Sequence, residues 1–151
     1  MTKQTIVRWI IILTVIGLID ALYLAYSALT HNPLACNVTG LDGCNIVAAS
    51  TYSRFMGIPL AVFGVMFYGA ILITSVFAYL FSNRTLYYGL LGASLLGALC
   101  SVYFMYLQFF VIKALCVYCA LSFVISLLIF LASLYLFRKY LPESAPLAMV
   151  E

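Results

Sequence analysis

Four long apolar runs, separated by polar segments, constrain the fold of this chain more than any other feature. We place these runs at about 6–30, 58–81, 86–110 and 115–137. Each is long enough to cross a hydrocarbon core of roughly 30 Å as a helix. Only 7% of the residues are charged, against about 25% in a typical soluble domain. The sequence therefore predicts an all-α membrane protein, a bundle of four transmembrane helices.

One bundle accounts for the whole chain, and we expect a single domain over residues 1–151. The first apolar run is too long for a signal peptide, and no small-residue cleavage site follows it cleanly, so it predicts a retained helix. The only long polar connection, residues 31–57, joins the first two spans. The tail 141–151 contains Pro142 and Pro146, and we expect it to be flexible.

The distribution of basic residues predicts how the bundle is oriented. The net charge is +3 without a long basic cluster, which argues against a nucleic-acid partner. Basic residues that flank the spans fall into a group of five on one side (Lys3, Arg8, Arg84, Arg138 and Lys139) and two on the other (Arg54 and Lys113). Cytoplasmic segments carry the excess of Lys and Arg. We therefore predict a multi-pass protein of the cell membrane with cytoplasmic N- and C-termini.

This orientation places four of the five cysteines on the extracytoplasmic side. Cys36 and Cys44 lie in the 31–57 loop, and Cys116 and Cys119 lie at the outer end of the fourth span. Disulfides form and persist on that side of a membrane. Cys100 falls within the third span, where we interpret it as a small buried apolar residue without a redox role.

The sequence Cys116-Val117-Tyr118-Cys119 suggests a reactive dithiol. If the fourth helix begins near Leu115, both sulfurs lie on one face of its first turn. The free N–H groups and the positive end of the helix dipole favour a thiolate there. A second cysteine pair in the nearby loop permits thiol–disulfide exchange between the pairs. Electrons would then pass from a dithiol outside to an acceptor in the bilayer.

Two other interpretations of the cysteines remain open. Four cysteines can bind zinc, although the loop pair lacks the close spacing of a zinc knuckle. A set of structural disulfides explains the loop pair, but a bridge within Cys-x-x-Cys closes too small a loop to add much stability. A c-type haem fails, because Ala120 stands where that motif needs histidine. A non-enzymatic metal-binding or structural membrane protein is therefore the alternative from a different class.

Several motifs together resemble the vitamin K epoxide reductase family, most closely its prokaryotic, disulfide-forming branch without a fused thioredoxin-like domain. They are Cys36 and Cys44 with seven residues between them, the stretch NIVAASTYSRFMGIPLAVFG, and the late Cys-x-x-Cys. The similarity extends from GLIDALYLAY in the first span to the fourth span. In a second family of quinone-linked disulfide generators the Cys-x-x-Cys comes first, so the order of the pairs favours the first family.

The resemblance implies a four-helix bundle around a quinone, with a short half-helix in the outer loop over the pocket. It assigns catalytic roles to four cysteines. Cys119 would exchange electrons with the quinone, Cys116 would exchange with Cys44, and Cys36 would meet a redox partner outside. The implied function is a quinone-dependent thiol–disulfide oxidoreductase that generates disulfide bonds. Its quinone would be of the ubiquinone, menaquinone or vitamin K type.

The implied redox partner is a thioredoxin-like (DsbA-like) protein on the outer face. Because the chain ends at Glu151, we expect this partner to be a separate protein. One departure from the family pattern bears on the substrate: Phe123 stands where the vitamin K-recycling branch is expected to have a tyrosine. Its missing hydroxyl disfavours epoxide reduction, but a vitamin K epoxide or quinone reductase of the vitamin K cycle remains the alternative.

The candidate quinone-binding residues come from the same end of the bundle. Ser50 matches the serine that ends the loop in the family pattern, although it also suits a helix cap or turn. Aromatic side chains at the depth of Cys119 can stack on a planar ring, and we select Phe63, Phe67 and Tyr103. Asp20 is a carboxyl within the first span. It is either a proton-transfer group or a hydrogen-bonding group between helices.

Overall fold

The computed structural model describes residues 2–35, 43–81 and 83–140. Five α-helices make up most of this part: α1 (Lys3–Thr30), α2 (Gly43–Ala49), α3 (Leu60–Phe81), α4 (Arg84–Tyr106) and α5 (Val117–Tyr140). A 3-10 turn, Thr51–Ser53, and two short strands, β1 (Arg54–Phe55) and β2 (Ile58–Pro59), connect α2 to α3. A π-helical turn, Leu107–Ile112, extends α4. The predicted catalytic Cys36 and the predicted flexible tail 141–151 lie outside the described residues.

Among the described residues, four helices are long and apolar enough to cross a membrane: α1, α3, α4 with its π-helical turn, and α5. Their ends lie within three residues of the predicted spans. The short α2 stands between the first two spans. The predicted architecture, an all-α membrane bundle of four spans with a half-helix in the connection, is confirmed.

The four spanning helices form a ring in which α1 and α4 each pack against both α3 and α5. Large apolar side chains such as Trp9, Leu80 and Leu96 face outward, as lipid contact requires. Small hydroxyl residues are buried inside, and the Thr14 and Ser75 hydroxyls donate to the carbonyl oxygens one turn earlier, at 2.7 and 2.6 Å. Small residues and internally satisfied hydroxyls allow close helix contact without leaving polar groups in lipid.

Basic side chains gather at the end of the bundle opposite the cysteines. The Lys3 ammonium lies 4.3 Å from the centre of the Tyr87 ring. The Arg8 guanidinium donates a hydrogen bond to the Tyr79 hydroxyl at 3.0 Å. The start of α1, the end of α3 and the start of α4 therefore meet there. The last turn of α5, which carries Arg138 and Lys139, joins them through the contact of Phe137 with α4.

Residues 43–59 form an ordered cap on the other end, which we call the cysteine end. Strands β1 and β2 pair antiparallel, with Phe55 opposite Ile58. Met56 and Gly57 connect them with φ values of 52° and 83°. Two successive positive φ values are typical of the two-residue hairpin turn whose twist matches that of its strands. This tight turn leads the chain directly into α3.

Candidate functional site: cysteines beside an apolar cavity

Three of the four predicted catalytic cysteines meet at the cysteine end. Cys44 and Cys116 are each 1% exposed and belong to one buried cluster with Leu34, against which Cys119 packs. Cys44 is disulfide-bonded, whereas Cys116 and Cys119 carry free thiols. The site therefore holds a disulfide sulfur of the loop beside the dithiol of the Cys-x-x-Cys motif.

Cys116 lies just before α5 rather than inside its first turn, because the helix begins at Val117. The Cys116 carbonyl accepts the Ala120 N–H at 2.9 Å, which closes the first turn. This backbone bond identifies Cys116 as the N-cap residue. Its sulfur accepts hydrogen bonds from the N–H groups of Cys119 and Tyr118, as the side-chain oxygen of a serine cap does. The expected helix start near Leu115 is corrected by two residues.

This position stabilises the Cys116 thiolate. A hydrogen bond from the Cys119 thiol contributes most to lowering the pKa of Cys116, which is about 7. Burial opposes this effect, and the N–H groups of Cys119 and Tyr118 assist it. A thiol with such a pKa is substantially ionised near neutral pH. Cys116 is thus suited to act as both nucleophile and leaving group in thiol–disulfide exchange.

Gln108, in the π-helical turn after α4, organises the approach to Cys116. Its side-chain oxygen accepts the Cys116 N–H at 2.9 Å, and its backbone oxygen accepts the Ala114 N–H at 3.2 Å. Its side-chain amide also donates to the Cys119 sulfur. Gln108 is 3% exposed. π-helical turns are frequent at functional sites, and this one aims a buried amide at both motif cysteines.

Gln108 was not among the predicted site residues, although the sequence contains a signal for it. Gln108 is the only glutamine or asparagine within the four predicted spans. A polar side chain inside an apolar helix usually faces the bundle interior and often marks a functional site. The π-helical turn around Gln108 was not predicted. The third span was expected to continue as an ordinary helix to residue 110.

Three side chains hold the segment that leads into the loop cysteines. The Tyr23 hydroxyl accepts the Ala35 N–H at 3.2 Å, and the Tyr118 hydroxyl donates to the Ala35 carbonyl at 3.1 Å. The Asn45 side-chain oxygen accepts the Leu34 N–H at 2.9 Å. Because Tyr118 stands between the two motif cysteines, the start of the loop is tied directly to the Cys-x-x-Cys motif.

A cavity of about 550 Å³ opens beside the cysteines. Cys119, Ser122 and Phe123 line it from one face of α5, as their spacing of three and four residues requires. Helix α4 and its π-helical turn contribute Phe104 and Gln108. Its size and its mainly apolar surface, with polar and charged groups such as Gln108, His31 and Arg54 along the wall, are typical of a site for a small organic molecule.

Of the four predicted quinone-binding residues, only Ser50 lines this cavity. Its hydroxyl donates to the Val47 carbonyl at 2.7 Å, so it also stabilises the turn after α2.

The three predicted aromatic residues point elsewhere. Phe63 is 40% exposed and contacts Phe55. The Phe67 ring fills the space beside Gly97 of α4, between the two helices. Tyr103 is 56% exposed, and its neighbour Phe104 reaches the cavity in its place.

Cys100 differs from its expected environment. It is a free cysteine exposed on the outer surface of α4, so the prediction of a buried packing residue is wrong. The orientation of α4 about its axis places Ala98 and Ser101, which flank Cys100 in the sequence, towards the bundle. The same orientation places Cys100 on the outside.

Comparison with known protein families gives a match over residues 8–134 to the vitamin K epoxide reductase family. This match covers most of the chain and includes α3, α4, most of α1 and α5, and both cysteine pairs. The chain belongs to the vitamin K epoxide reductase family. The family inferred from the cysteine pattern is confirmed, and the prokaryotic, disulfide-forming branch stays a prediction. Members of the family are oxidoreductases that use a quinone-type substrate, and the apolar cavity beside Cys119 is suited to such a molecule.

Proposed function

We propose that this protein is a quinone-dependent thiol–disulfide oxidoreductase that generates disulfide bonds. Electrons would pass from a separate thioredoxin-like protein to Cys36 and Cys44, then to Cys116 and Cys119, and finally to a membrane quinone. The observation that carries this proposal is the burial of Cys44 and Cys116 in one cluster, with Cys119 on the wall of the cavity.

Exchange between the pairs begins with Cys116 and Cys119 joined as a disulfide. The Cys44 thiolate attacks the Cys116 sulfur, the bond between Cys116 and Cys119 breaks, and Cys119 leaves and takes up a proton. The Cys36 thiolate then attacks Cys44, and Cys116 leaves as a thiolate. The loop pair is now oxidised and the motif pair reduced. The low pKa of Cys116 favours the second step, because a more acidic thiol leaves faster.

The cavity side of the reaction depends on Cys119. A quinone bound there would supply a two-electron acceptor. Phe104 and Phe123 would flank its ring, since aromatic side chains stack on planar groups. Ser50 and Gln108 provide the nearby polar groups. The other predicted quinone contacts are Phe63, Phe67 and Tyr103. They do not line this cavity, so they would touch only a part of the quinone that extends out of it.

Phe123 favours disulfide generation over epoxide reduction. It lies on the cavity wall one turn after Cys119, so the difference from the vitamin K-recycling pattern falls at the reaction site. A phenyl ring cannot donate a hydrogen bond to an epoxide or carbonyl oxygen. The asymmetry of basic residues further supports an extracytoplasmic cysteine end, where a secreted partner and its disulfides would be found.

The test is a quinone-coupled assay in lipid nanodiscs, with a reduced thioredoxin-like protein as electron donor and ubiquinone or menaquinone as acceptor. We expect quinol formation by the native chain, and its loss in Cys116→Ala and Cys119→Ala. Cys100→Ala is the matched control and should retain activity. Undiminished quinol formation by Cys116→Ala would refute the order of exchange. Turnover of vitamin K epoxide at a comparable rate would favour the alternative reductase, and stoichiometric zinc without quinone reduction would favour a metal-binding protein.

A further inference from the structure

Asp20 is a buried carboxyl that the proposed exchange does not use. It lies in α1, is 7% exposed, and neither of its oxygens has a hydrogen-bond partner among the described residues. It is also the only acidic side chain within residues 2–35, 43–81 and 83–140. An ionised carboxylate without a partner inside a membrane bundle is energetically costly. Such a group is expected to bind a proton readily.

The surroundings of Asp20 connect it to the reactive cysteines. With Tyr23 and Tyr118 it lines a second cavity, of about 350 Å³, between α1 and α5. Its charge also interacts with both motif cysteines. The titratable groups that surround it are Tyr23 of α1, Tyr68 of α3, Tyr118 and Cys119 of α5, and Cys116 just before α5. Because negative charges repel strongly in a medium of low dielectric constant, ionised Asp20 and the Cys116 thiolate disfavour each other.

Hydroxyl groups lead to the main cavity from Tyr68, whose ring packs against Gly17, three residues before Asp20 in α1. The Tyr68 side chain is 2% exposed and interacts electrostatically with Asp20. Its hydroxyl is 2.8 Å from the Ser122 hydroxyl and 3.0 Å from the Ser126 hydroxyl. Ser122 lines the main cavity one turn after Cys119. Tyr68 and Ser122 therefore form the part of a proton route that reaches the cavity; because Asp20 makes no hydrogen bond to Tyr68, the first transfer requires a rotation of the Asp20 carboxyl or a bridging water.

The exchange chemistry leaves one proton without a carrier. Once Cys116 is a thiolate, oxidation of Cys116 and Cys119 to a disulfide releases two electrons but only one proton, from Cys119. Reduction of a quinone to a quinol takes up two electrons and two protons. A titratable group beside the dithiol that gains a proton on reduction would supply the second one.

We propose that Asp20 stores this proton: it binds one when the Cys116–Cys119 disulfide is reduced, and releases it through Tyr68 and Ser122 when the dithiol is oxidised. In the reductive half, two loop thiols become a disulfide, Cys116 leaves as a thiolate, Cys119 keeps one proton and Asp20 takes the other. In the oxidative half, the new sulfur–sulfur bond releases two electrons and the proton of Cys119, and Asp20 supplies the second proton. The identities of the electron donor and of the electron acceptor rest on the function proposed above.

The number of protons bound on reduction tests Asp20 without any quinone. The reduction potential of the Cys116–Cys119 pair is titrated against pH in a Cys36→Ser, Cys44→Ser, Cys100→Ala background, where only this pair is redox-active. Above the pKa of Cys116 we expect a slope of two protons per two electrons, one on Cys119 and one on Asp20. Asp20→Asn should halve that slope above about pH 7, and leave it unchanged at more acidic pH, where Cys116 itself binds the second proton.

Three variants separate proton storage from a structural role. Asp20→Glu should retain the two-proton slope, because it keeps a carboxyl. The Ser133 hydroxyl, like the Asp20 carboxyl, is buried without a hydrogen-bond partner among the described residues. Ser133→Ala should leave the slope unchanged. Tyr68→Phe should keep the slope but slow quinol formation by about 10²-fold, as expected when a proton-transfer group is lost.

The outcomes distinguish this inference from the proposed function. A two-proton slope in Asp20→Asn above pH 7 would overturn Asp20 as the storage site, and unchanged quinol formation in Tyr68→Phe would overturn the route. Neither result would affect the assignment of the cysteines. If instead Asp20→Asn halves the slope while the native chain forms no quinol from thiols, proton storage holds and the proposed function fails.

Discussion

Gly43, the first residue of α2, lies directly against the backbone carbonyl of Leu115. A Cβ atom at position 43 would occupy the space of that oxygen. Gly43 precedes Cys44, and Leu115 precedes Cys116. The missing side chain therefore allows the segments that carry Cys44 and Cys116 to touch, and this contact helps to set how closely the two residues approach.

The first prediction concerns this contact. Gly43→Ala should slow exchange between Cys44 and Cys116 by about 10²-fold, because a displacement of about 1 Å is enough to misalign reacting atoms. It should also lower the free energy of unfolding by about 1–3 kcal/mol through overpacking. Rapid acid quenching and trapping of the mixed disulfide measures the rate. Gly69→Ala is the control, since a Cβ there meets open space, and equal rates in both variants would contradict the prediction.

The second prediction is the pH dependence of Cys116. Its thiolate should form as the pH rises through about 7 and be lost as the pH falls below that value. Cys119→Ala should move this transition to higher pH, because the hydrogen bond from the Cys119 thiol contributes most to lowering the pKa of Cys116. Ultraviolet thiolate absorbance, with Cys116→Ala subtracted, gives the titration curve. An unchanged midpoint in Cys119→Ala would show that the helix start alone ionises Cys116.

The third prediction separates two roles of Gln108. Gln108→Leu removes the acceptor of the buried Cys116 N–H, and should lower the free energy of unfolding by about 1–3 kcal/mol. Gln108→Glu keeps an acceptor but adds a negative charge beside the thiolate, so the pKa of Cys116 should rise. Chemical unfolding and the same absorbance titration measure the two effects. The same substitutions at the exposed Gln4 are controls, and comparable shifts there would refute a specific role for Gln108.

The fourth prediction concerns the clamp on Ala35. Tyr118→Phe removes the donor to the Ala35 carbonyl, and Tyr23→Phe removes the acceptor of its N–H. A hydrogen bond of this kind contributes about 1 kcal/mol, so the Ala35 amide should exchange with solvent about fivefold faster in Tyr23→Phe. Hydrogen-exchange mass spectrometry of the loop peptide measures this. Tyr106→Phe, on the exposed surface of α4, should leave the exchange rate unchanged.

Much of the fold could be predicted because a membrane helix satisfies its own backbone hydrogen bonds locally. The length and hydropathy of each run are then enough to identify a span. Two of those runs, the second and third spans, separate the 31–57 connection from Cys116. Two crossings return the chain to the same side, so both lie at the same end of the bundle. The family could be inferred from the order and spacing of the cysteines together with the loop sequence.

The cavity could not be predicted in the same way, because every face of these helices is apolar. When outward and inward faces are chemically alike, hydropathy does not reveal the rotation of a helix about its axis. For this reason Phe67 and Tyr103 were predicted to contact the quinone, whereas Phe104 lines the cavity. For the same reason Cys100 was expected inside the bundle, although it faces outward.

By itself, the sequence determined four spans, one end that gathers the cysteines, and the family, because these depend on local hydropathy and residue order. The tertiary structure decided where α5 begins, that a buried glutamine holds Cys116, and that Gly43 lets α2 approach Leu115. It also decided that Asp20 has no hydrogen-bond partner among the described residues and shares a cavity with Tyr118 of the Cys-x-x-Cys motif. Each of these features depends on contacts between side chains that are far apart in the sequence, and such contacts arise only when the helices pack.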